Sequence, residues 1–339
     1  MSRFLEIISI GPGASLQDFG RPGLLAYGLS RGGAADPLAL WEGAALLGQS
    51  PDHAAIELVG TGVTFRASND VRVAFSGAPM RARCEENALA WASSHAVVAG
   101  ERVTLSPGKA GIYSYVHVGG GFATTPLIGA RSTHFAAGLG DALVAGDTLP
   151  LGDDPGEIVG LTLDVPDRFS GGAVRVIRSM QSALFDEADL RRFAATPFTR
   201  DPRGNRMGVK LRFEGAPFAA AEQLSVLSDI IMPGDIQATG DGAPFVLLGE
   251  CQTTGGYPRL ATVIPTDLPR VAQARPGTTL TFDFVGRDEA LDLMRADHAK
   301  RAELPKRAHP LVRDPADIAD LLSYQLIDGV TAGTDDFSS

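Results

Sequence analysis

The sequence predicts a mainly β protein. Its 339 residues include 40 glycines and 22 prolines but only 7% aromatics, which indicates many tight turns. Alternation of apolar and polar residues is the commonest pattern, as expected for strands. A glycine turn followed by an alternating strand occurs three times, at 99–105, 145–151 and 276–282. Two copies lie in the first half and one in the second, which is compatible with chance repetition of turns or with two related barrels in tandem.

Individual strands follow from this alternation. The clearest patterns begin at the first residues and recur along the chain, at Phe4–Ile10, 71–75, 112–118 and 279–285. Two more apolar runs, 245–248 and 260–264, flank a polar stretch, which the sequence therefore predicts to be a loop between strands.

Four helices are predicted in addition to the strands. The first begins at Asp36 and Pro37, a capping carboxylate followed by a proline at the first helical position, and ends at Gly48. The other three are predicted at 185–195, at 287–302 and from residue 314 onward. The polar stretch 329–339 is predicted to be disordered.

The length is sufficient for two domains. Turn-forming and acidic residues between 153 and 170 follow a finished strand, which favours a boundary there. We therefore predict an N-terminal β domain over 1–170, a C-terminal β domain over 171–286, and a helical extension with a disordered tail over 287–339.

Composition excludes several classes of function. The net charge is −10, and no cluster of basic residues is available to bind phosphates, so we expect no nucleic acid partner. No window approaches the ~20 apolar residues of a membrane span. The two cysteines, Cys84 and Cys251, make no disulfide framework, which favours a reducing, cytoplasmic location.

Familiar catalytic motifs are missing from the sequence. The six histidines lack metal-ligand spacing, so no metal site is predicted. There is no Walker loop, and an ATP site is therefore not predicted from the residues alone. Cys251 is a possible nucleophile, but no partnering base can be identified.

The polar loop between the last two apolar runs is the first candidate site. Two adjacent glycines leave backbone N–H groups open to a ligand, and the neighbouring side chains add an amide, two hydroxyls and a phenol. This combination suits a small polar or anionic ligand. Its residues are Gln252, Thr253, Thr254, Gly255, Gly256 and Tyr257. The alternative is a hairpin turn whose polar groups satisfy one another.

Three other glycine-rich segments combine charged and amide side chains. In 11–23, Arg21 could bind a carboxylate or phosphate while Asp18 orients it, or the two could form a local ion pair. Segments 129–134 and 203–208 repeat the combination of arginine and glycine.

These segments together resemble one protein family. The matching stretches are SLQDFGRPG at 15–23, GARST at 129–133, NRMG at 205–208 and QTTGGYP at 252–258. They are similar to the biotin-dependent carboxyltransferase family, which includes the C subunit of 5-oxoprolinase (KipA), "allophanate hydrolase subunit 2" and the carboxyltransferase region of urea carboxylase. The matches keep the family's order from about residue 4 to 285.

The resemblance implies two cyclophilin-like β-barrel domains with a cleft between motif loops. It also implies a complex with a subunit-B (KipI-like) protein and a subunit-A protein that opens 5-oxo-L-proline to L-glutamate at the expense of ATP. ATP would be bound by, or shared with, a partner protein, and this chain has no site for covalent biotin. The alternatives are a carboxyltransferase that uses carboxybiotin from another chain and a non-catalytic KipA-like regulator of a sensor kinase.

Site residues are carried over from the matching positions. The N–H groups of Gly255 and Gly256 would receive the developing oxyanion, and Asp18 would transfer a proton. Arg131 or Arg206 would hold a carboxylate, and Gln252 and Tyr257 would orient the ring. The remaining substrate-binding candidates are Gln17, Arg21, Ser132, Asn205, Thr253 and Thr254.

Two departures from the family pattern bear on the substrate. Ser30-Arg31-Gly32-Gly33-Ala34-Ala35-Asp36 stands where the family often has Pro-x-Ser-Gly-Ala-Met-Asp. Glu250-Cys251 stands where Asp-Arg often precedes the Gln-Thr-Thr loop. A paralogue with another substrate therefore remains open.

Overall fold

A computed structural model describes residues 3–220 and 227–312. Strands dominate it, which confirms the prediction of a mainly β protein. The strands of the first half are β1 Phe4–Ile10, β2 Ser15–Gln17, β3 Ala55–Val59, β4 Val63–Ala67, β5 Val71–Gly77, β6 Arg81–Cys84, β7 Asn87–Leu89, β8 Ser94–Val97, β9 Arg102–Ser106, β10 Tyr113–Val118, β11 Thr148–Pro150 and β12 Leu161–Thr162.

The second half continues the series. Its strands are β13 Gly172–Ile177, β14 Phe198–Arg200, β15 Gly208–Arg212, β16 Asp229–Ile230, β17 Asp235–Ala238, β18 Pro244–Leu247, β19 Thr254–Gly255, β20 Arg259–Val263, β21 Thr279–Phe284 and β22 His309–Pro310. The α-helices of the described residues are α1 Pro37–Leu47, α2 Glu187–Ala195, α3 Leu268–Gln273 and α4 Arg287–Arg307.

Two sheets build the first half. One has the order β11-β1-β4-β9-β6-β7 and the other β2-β3-β10-β5-β8. Their inner faces share one core, to which the first sheet contributes Leu5 and Phe65 and the second contributes Ile56 and Phe75, all fully buried. In β1 and β9 the alternation marks inward and outward faces. β5 and β10 are instead buried along their whole length, because α1 packs on the other face of their sheet.

A closed barrel forms the second half, with the order β13-β20-β17-β18-β15-β14-β21. β13 runs parallel to β21, and every other pair in the ring is antiparallel. Phenylalanines fill its centre, with Phe193 of α2 stacked on Phe282 at 5.0 Å between ring centroids. Closure leaves the barrel without free sheet edges.

The first helix lies where the sequence predicts it, and Gly48 ends it in the left-handed conformation. The predicted role of Asp36 is wrong, because its side chain does not cap the helix. Instead its carboxylate accepts hydrogen bonds from Arg168 Nε at 2.6 Å and Gln273 Nε2 at 2.8 Å. A buried guanidinium and amide from distant parts of the chain therefore compete successfully for this carboxylate.

The other helices differ in detail from their predictions. α2 begins at Glu187 and ends before Thr196, and α4 continues past residue 302 to Arg307. The short α3 was not predicted, because its six residues are too few to show a helical period. The helix predicted from residue 314 and the tail 329–339 lie outside the described residues.

The extension after the barrel returns to the first half. α4 packs on α1, where Leu304 joins Leu46 in a common apolar cluster, and β22 pairs with β12. The predicted boundary near residue 170 stays a prediction. None of the helices within 3–220 and 227–312 combines the length and hydropathy of a membrane span.

Candidate functional site

A cavity of about 480 Å³ lies between the two halves, within the range of roughly 300–1,000 Å³ typical of small-molecule sites. From the first half it is lined by Gly13, Val59, Ile112, Tyr113, Phe135 and Ala136. From the second half it is lined by Arg200, Gly204, Asn205, Arg206, Met207 and Glu250. The lining is largely apolar, with charged groups concentrated on the barrel side.

Arg206 lies at the centre of the contacts across this junction. Its Nε donates to Glu250 at 2.5 Å, its Nη1 donates to Glu57 and its Nη2 donates to the carbonyl oxygen of Gly33. Glu57 and Gly33 belong to the first half, so one side chain of the second half binds two segments of the first. Burial alone would lower the pKa of Arg206, but the two carboxylates outweigh it and raise that pKa.

The two glutamates are buried and make further hydrogen bonds. Glu57 Oε2 accepts from the backbone N–H of Ala35 at 2.8 Å and from the hydroxyl of Tyr115 at 2.7 Å. Glu250 Oε2 accepts from the backbone N–H of Ala136 at 3.1 Å. Two carboxylates against the one guanidinium of Arg206 give the cluster a formal charge of −1.

Arg200 also lines the cavity but differs from Arg206 in its partners. The residue is 4% exposed, and its Nε is buried without a hydrogen-bond partner in the part of the chain that the structure describes. Burial lowers the pKa of Arg200. Burial also raises the pKa of the neighbouring Tyr113 to about 12, so that phenol keeps its proton at neutral pH.

Asp18 and Arg21 hold a loop of the first half. Arg21 donates from Nε to the carbonyl of Leu127 at 2.9 Å and from Nη2 to the carbonyl of Ser132 at 2.8 Å. Asp18 accepts from the backbone N–H of Arg131 at 2.6 Å through one oxygen and from that of Gly20 at 2.8 Å through the other. Asp18 and Arg21 therefore bind different backbone groups, and both act on the predicted segment 129–133.

This loop is strained at its tip. Ile128 has a φ of +49°, a conformation that costs a β-branched residue energy, and its side chain is 59% exposed. Arg21 and Asp18 anchor the residues on either side, which explains how the surrounding structure maintains the strain.

Other predicted residues have local structural partners. The amide of Gln17 donates to Ser15 Oγ at 2.9 Å and to the carbonyl of Thr133 at 3.0 Å. Its own oxygen is buried and accepts no hydrogen bond from the described residues. Ser132 Oγ accepts from Arg21 at 3.2 Å. Arg131 Nε donates to a main-chain carbonyl at 2.9 Å.

Asn205 combines a turn with the cavity wall. Its Oδ1 accepts from the backbone N–H of Met207 at 2.8 Å, which fixes the turn that carries Arg206. The residue is exposed and lines the cavity. Asn205 and Arg206 are the predicted site residues that lie on the cavity wall.

The loop 252–257 lies outside the cavity lining. The hairpin alternative is wrong, because the flanking strands β18 and β20 pair with opposite sides of β17 and not with each other. Within the loop, β19 pairs with β16, and the carbonyl of Thr253 accepts from the N–H of Ile231 at 3.1 Å. Gln252, Gly256 and Tyr257 are exposed.

Among the described residues, the four motif segments do not together line one cavity. Residues 204–207 and Gly13 line it, from two of the segments. The segment 129–133 is bound to Asp18 and Arg21 and lies just before the lining residues Phe135 and Ala136. The segment 252–257 lies outside the lining, which includes Glu250 two residues before it.

Cys251 is a poor nucleophile in this setting. Its side chain is buried, and burial raises the pKa of the thiol to about 12, which disfavours the reactive thiolate. Within residues 3–220 and 227–312, no group of three or more metal-ligating side chains could hold a metal ion.

Sequence reasoning missed Glu57, Tyr113 and Arg200 as site residues. For Glu57 a signal existed, because a carboxylate within the apolar strand Ala55–Val59 requires a buried partner. Arg200 and Tyr113 carry no such signal, since they meet only when the barrel docks on the first half.

These features define a β protein with a cavity of the size of a small-molecule site where a closed barrel meets a pair of sheets. The pattern of the carboxyltransferase domain, subdomains A and B, matches residues 27–284. The chain belongs to this carboxyltransferase family.

Two curated relatives match nearly the whole chain. The Escherichia coli protein named as the C subunit of 5-oxoprolinase is 32% identical over 90% of this chain and 99% of its own length. The Haemophilus influenzae protein of the same name is 31% identical over 86% of this chain and 94% of its own. The fold also resembles the solved Kluyveromyces lactis urea carboxylase, with a TM-score of 0.80, 20% identity and coverage of 92% of this chain and 31% of that one.

Proposed function

We propose that this chain is the C subunit of a 5-oxoprolinase-type complex that opens 5-oxo-L-proline to L-glutamate with consumption of ATP. The observation that carries the proposal is 31–32% identity to two proteins that bear this name, over almost their full length. The partners would be a subunit-B (KipI-like) protein and a subunit-A protein. Both cysteines are free and buried, which supports a reducing cytoplasmic location.

The reaction requires the lactam carbonyl to be activated. Water adds its oxygen to the ring carbonyl carbon, the C–N bond breaks and the nitrogen takes a proton, which yields a second carboxylate and an amine. The charge that develops on the carbonyl oxygen must be stabilised by fixed donors. Binding and orienting the ring is the part that a cavity of this size and polarity can perform.

The cavity does not fit ATP well. Its lining, as far as residues 3–220 and 227–312 form it, holds two arginines and no lysine, and Arg206 is already bound to Glu57 and Glu250. A triphosphate would meet a cluster with a formal charge of −1. We therefore assign ATP to a partner protein and derive no step of this chain from it.

The exposed loop 252–257 has a separate role in the proposal. Because Gln252, Gly256 and Tyr257 face outward, we propose that this loop completes the site only in the assembled complex. The N–H groups of Gly255 and Gly256 would then receive developing charge, as the resemblance implies. Asp18 would position the loop that carries Arg131, since both its oxygens already accept backbone N–H groups.

The family match supports one alternative. A carboxyltransferase would accept a carboxyl group from carboxybiotin carried by another chain, because this sequence has no covalent biotin site. Inhibition of the activity by avidin would favour this alternative.

The test is reconstitution. The chain is co-produced with the proteins encoded beside it, and L-glutamate release from 5-oxo-L-proline and ATP is measured with and without this chain. We expect release only when this chain is present, and expect it to be insensitive to avidin. Full turnover by the complex that lacks this chain would contradict the proposal.

A further inference from the structure

Arg200 is the one arginine on the cavity wall whose side chain has no hydrogen bond or ion pair among the described residues. It ends β14, is 4% exposed and lines the cavity beside Tyr113. Its Nε is buried without a partner. A side chain at position 204 would begin 2.6 Å from Arg200 Nη2, so Gly204 leaves room for the guanidinium.

The other buried arginines of the described residues have partners. Arg21 donates to main-chain carbonyls, and four others have carboxylates: Arg72 with Asp154, Arg168 with Asp36 and Glu42, Arg206 with Glu57 and Glu250, and Arg259 with Asp229 and Asp235. The neighbouring Asp201 forms its ion pair with Arg203 at 2.8 Å, and its charge acts on Arg200 without an ion pair or hydrogen bond between the two described side chains. A buried cation is costly unless an anion accompanies it.

We propose that Arg200 binds the carboxylate of a small ligand inside the interdomain cavity. The guanidinium presents donors in a fork that matches a carboxylate. Tyr113, a neutral phenol that lines the same cavity from the first half, can donate a further hydrogen bond. The apolar walls formed by Val59, Ile112 and Met207 suit the hydrocarbon part of such a ligand.

The charge of the site favours a monoanion. The Arg206 cluster has a formal charge of −1 and lines the same cavity, so it opposes a ligand with two or more negative charges. A single free guanidinium balances one carboxylate. Phosphate is thus a weaker candidate than a carboxylic acid of the size of 5-oxo-L-proline.

The identity of this acid rests on the proposed function, whereas the role of Arg200 does not.

The full chain is therefore tested by thermal shift with 5-oxo-L-proline, cyclopentanecarboxylate, the neutral lactam 2-pyrrolidinone and inorganic phosphate. A ligand that binds only the folded state raises the melting temperature. We expect the two carboxylates to raise it and the other two compounds to have no effect at equal concentration.

Arg200→Met keeps the aliphatic stem and removes the charge. We expect it to weaken carboxylate binding at least tenfold and to leave the melting temperature of the free protein unchanged or higher, because an unpaired buried charge is removed. The matched control is Arg203→Met, whose side chain is 75% exposed and which should leave binding intact. Arg200→Lys keeps the charge without the planar fork and should bind with intermediate affinity.

The outcomes separate the two proposals. An Arg200-dependent rise in melting temperature with cyclopentanecarboxylate but none with 5-oxo-L-proline would support carboxylate binding by Arg200 and reject the proposed substrate. Three results would contradict carboxylate binding by Arg200. They are that neither carboxylate raises the melting temperature, that the increases persist in Arg200→Met, or that phosphate alone raises the melting temperature. A lower melting temperature of free Arg200→Met than of Arg203→Met would also overturn it, because it would show a structural role.

Discussion

Arg206 of the barrel half donates a hydrogen bond to Glu57, on the central part of β3 in the first half. The two residues are far apart in sequence and enclosed at the junction. The same guanidinium also binds Glu250 and the carbonyl of Gly33. The contact between the two halves and the electrostatics of the cavity wall therefore both involve this one side chain.

Arg206→Met should be strongly destabilising. It leaves Glu57 and Glu250 buried without a counter-ion, and breaking a buried pair in this way costs about 3–5 kcal/mol. The free energy of unfolding in urea measures the effect. The control is Arg178→Met, which breaks the exposed pair with Glu187 and should cost far less, because solvent screens such a pair. Equal losses in the two variants would contradict the central role of Arg206.

Asp18→Asn tests whether Asp18 positions its loop. The amide can replace one acceptor, but its NH₂ group would face a backbone N–H, that of Gly20 or that of Arg131. We expect a loss of about 1–3 kcal/mol and faster amide hydrogen exchange across 127–132. Asp283→Asn, at an exposed strand position, is the control. Loss of activity in the complex with unchanged exchange would instead support the predicted proton-transfer role.

Ile128→Asn should stabilise the protein. Asparagine tolerates a positive φ, and relief of the left-handed strain is worth about 1 kcal/mol. Little packing is lost, because the isoleucine side chain is exposed. The melting temperature should rise, whereas Ile158→Asn, another exposed isoleucine without a positive φ, should not raise it. A lower melting temperature in both variants would show that the Ile128 side chain makes stabilising packing contacts in the free protein.

His117 should make the fold sensitive to acid. It is fully enclosed beneath α1, where its ring bonds Ser76 at 2.7 Å, and burial lowers its pKa from 6.5 to about 3. The folded state thus keeps this histidine neutral, and the unfolded state takes up a proton as the pH falls below 6.5. Stability from this group is complete above pH 6.5 and is lost by about 1.4 kcal/mol per pH unit down to about pH 3.

Urea unfolding of His117→Gln across this range is the measurement. Its stability should fall less steeply with acidification than that of the unsubstituted protein. Identical slopes below pH 6.5 would mean that His117 already carries a proton in the folded state.

Both thiols should be unreactive in the native protein. Burial raises the pKa of Cys84 to about 11 and that of Cys251 to about 12, so little thiolate exists at pH 8. Ellman's reagent should detect no thiol before denaturation and two after it. Rapid native labelling of Cys251 would restore it as a candidate nucleophile.

Local sequence patterns predicted most of the secondary structure. β1 follows from the alternation of its residues, and α1 from the proline at its start and the glycine at its end. Both signals depend only on neighbouring residues. Asp36 shows the limit of such patterns. Its capping role was a sound local expectation, but Arg168 and Gln273 approach it only in the folded chain.

The site was predictable to a smaller extent. Arg206 and Asn205 were marked by their glycine-rich segment and do line the cavity. Arg200 was not, because what distinguishes it is that no described residue forms a hydrogen bond with its side chain, and a sequence does not record this. The loop 252–257 has the composition of a binding site, yet the path of β17 between β18 and β20 directs it away from the cavity.

The return of α4 and β22 to the first half makes the barrel an insertion in topological terms. Residues up to Arg168, which binds Asp36 and Glu42, still contact that half, and after the barrel β22 pairs with its strand β12. On the ribosome, one face of α1 must therefore stay uncovered until the barrel has been synthesised and Leu304 has emerged. The N-terminal half, although made first, acquires its finished surface last.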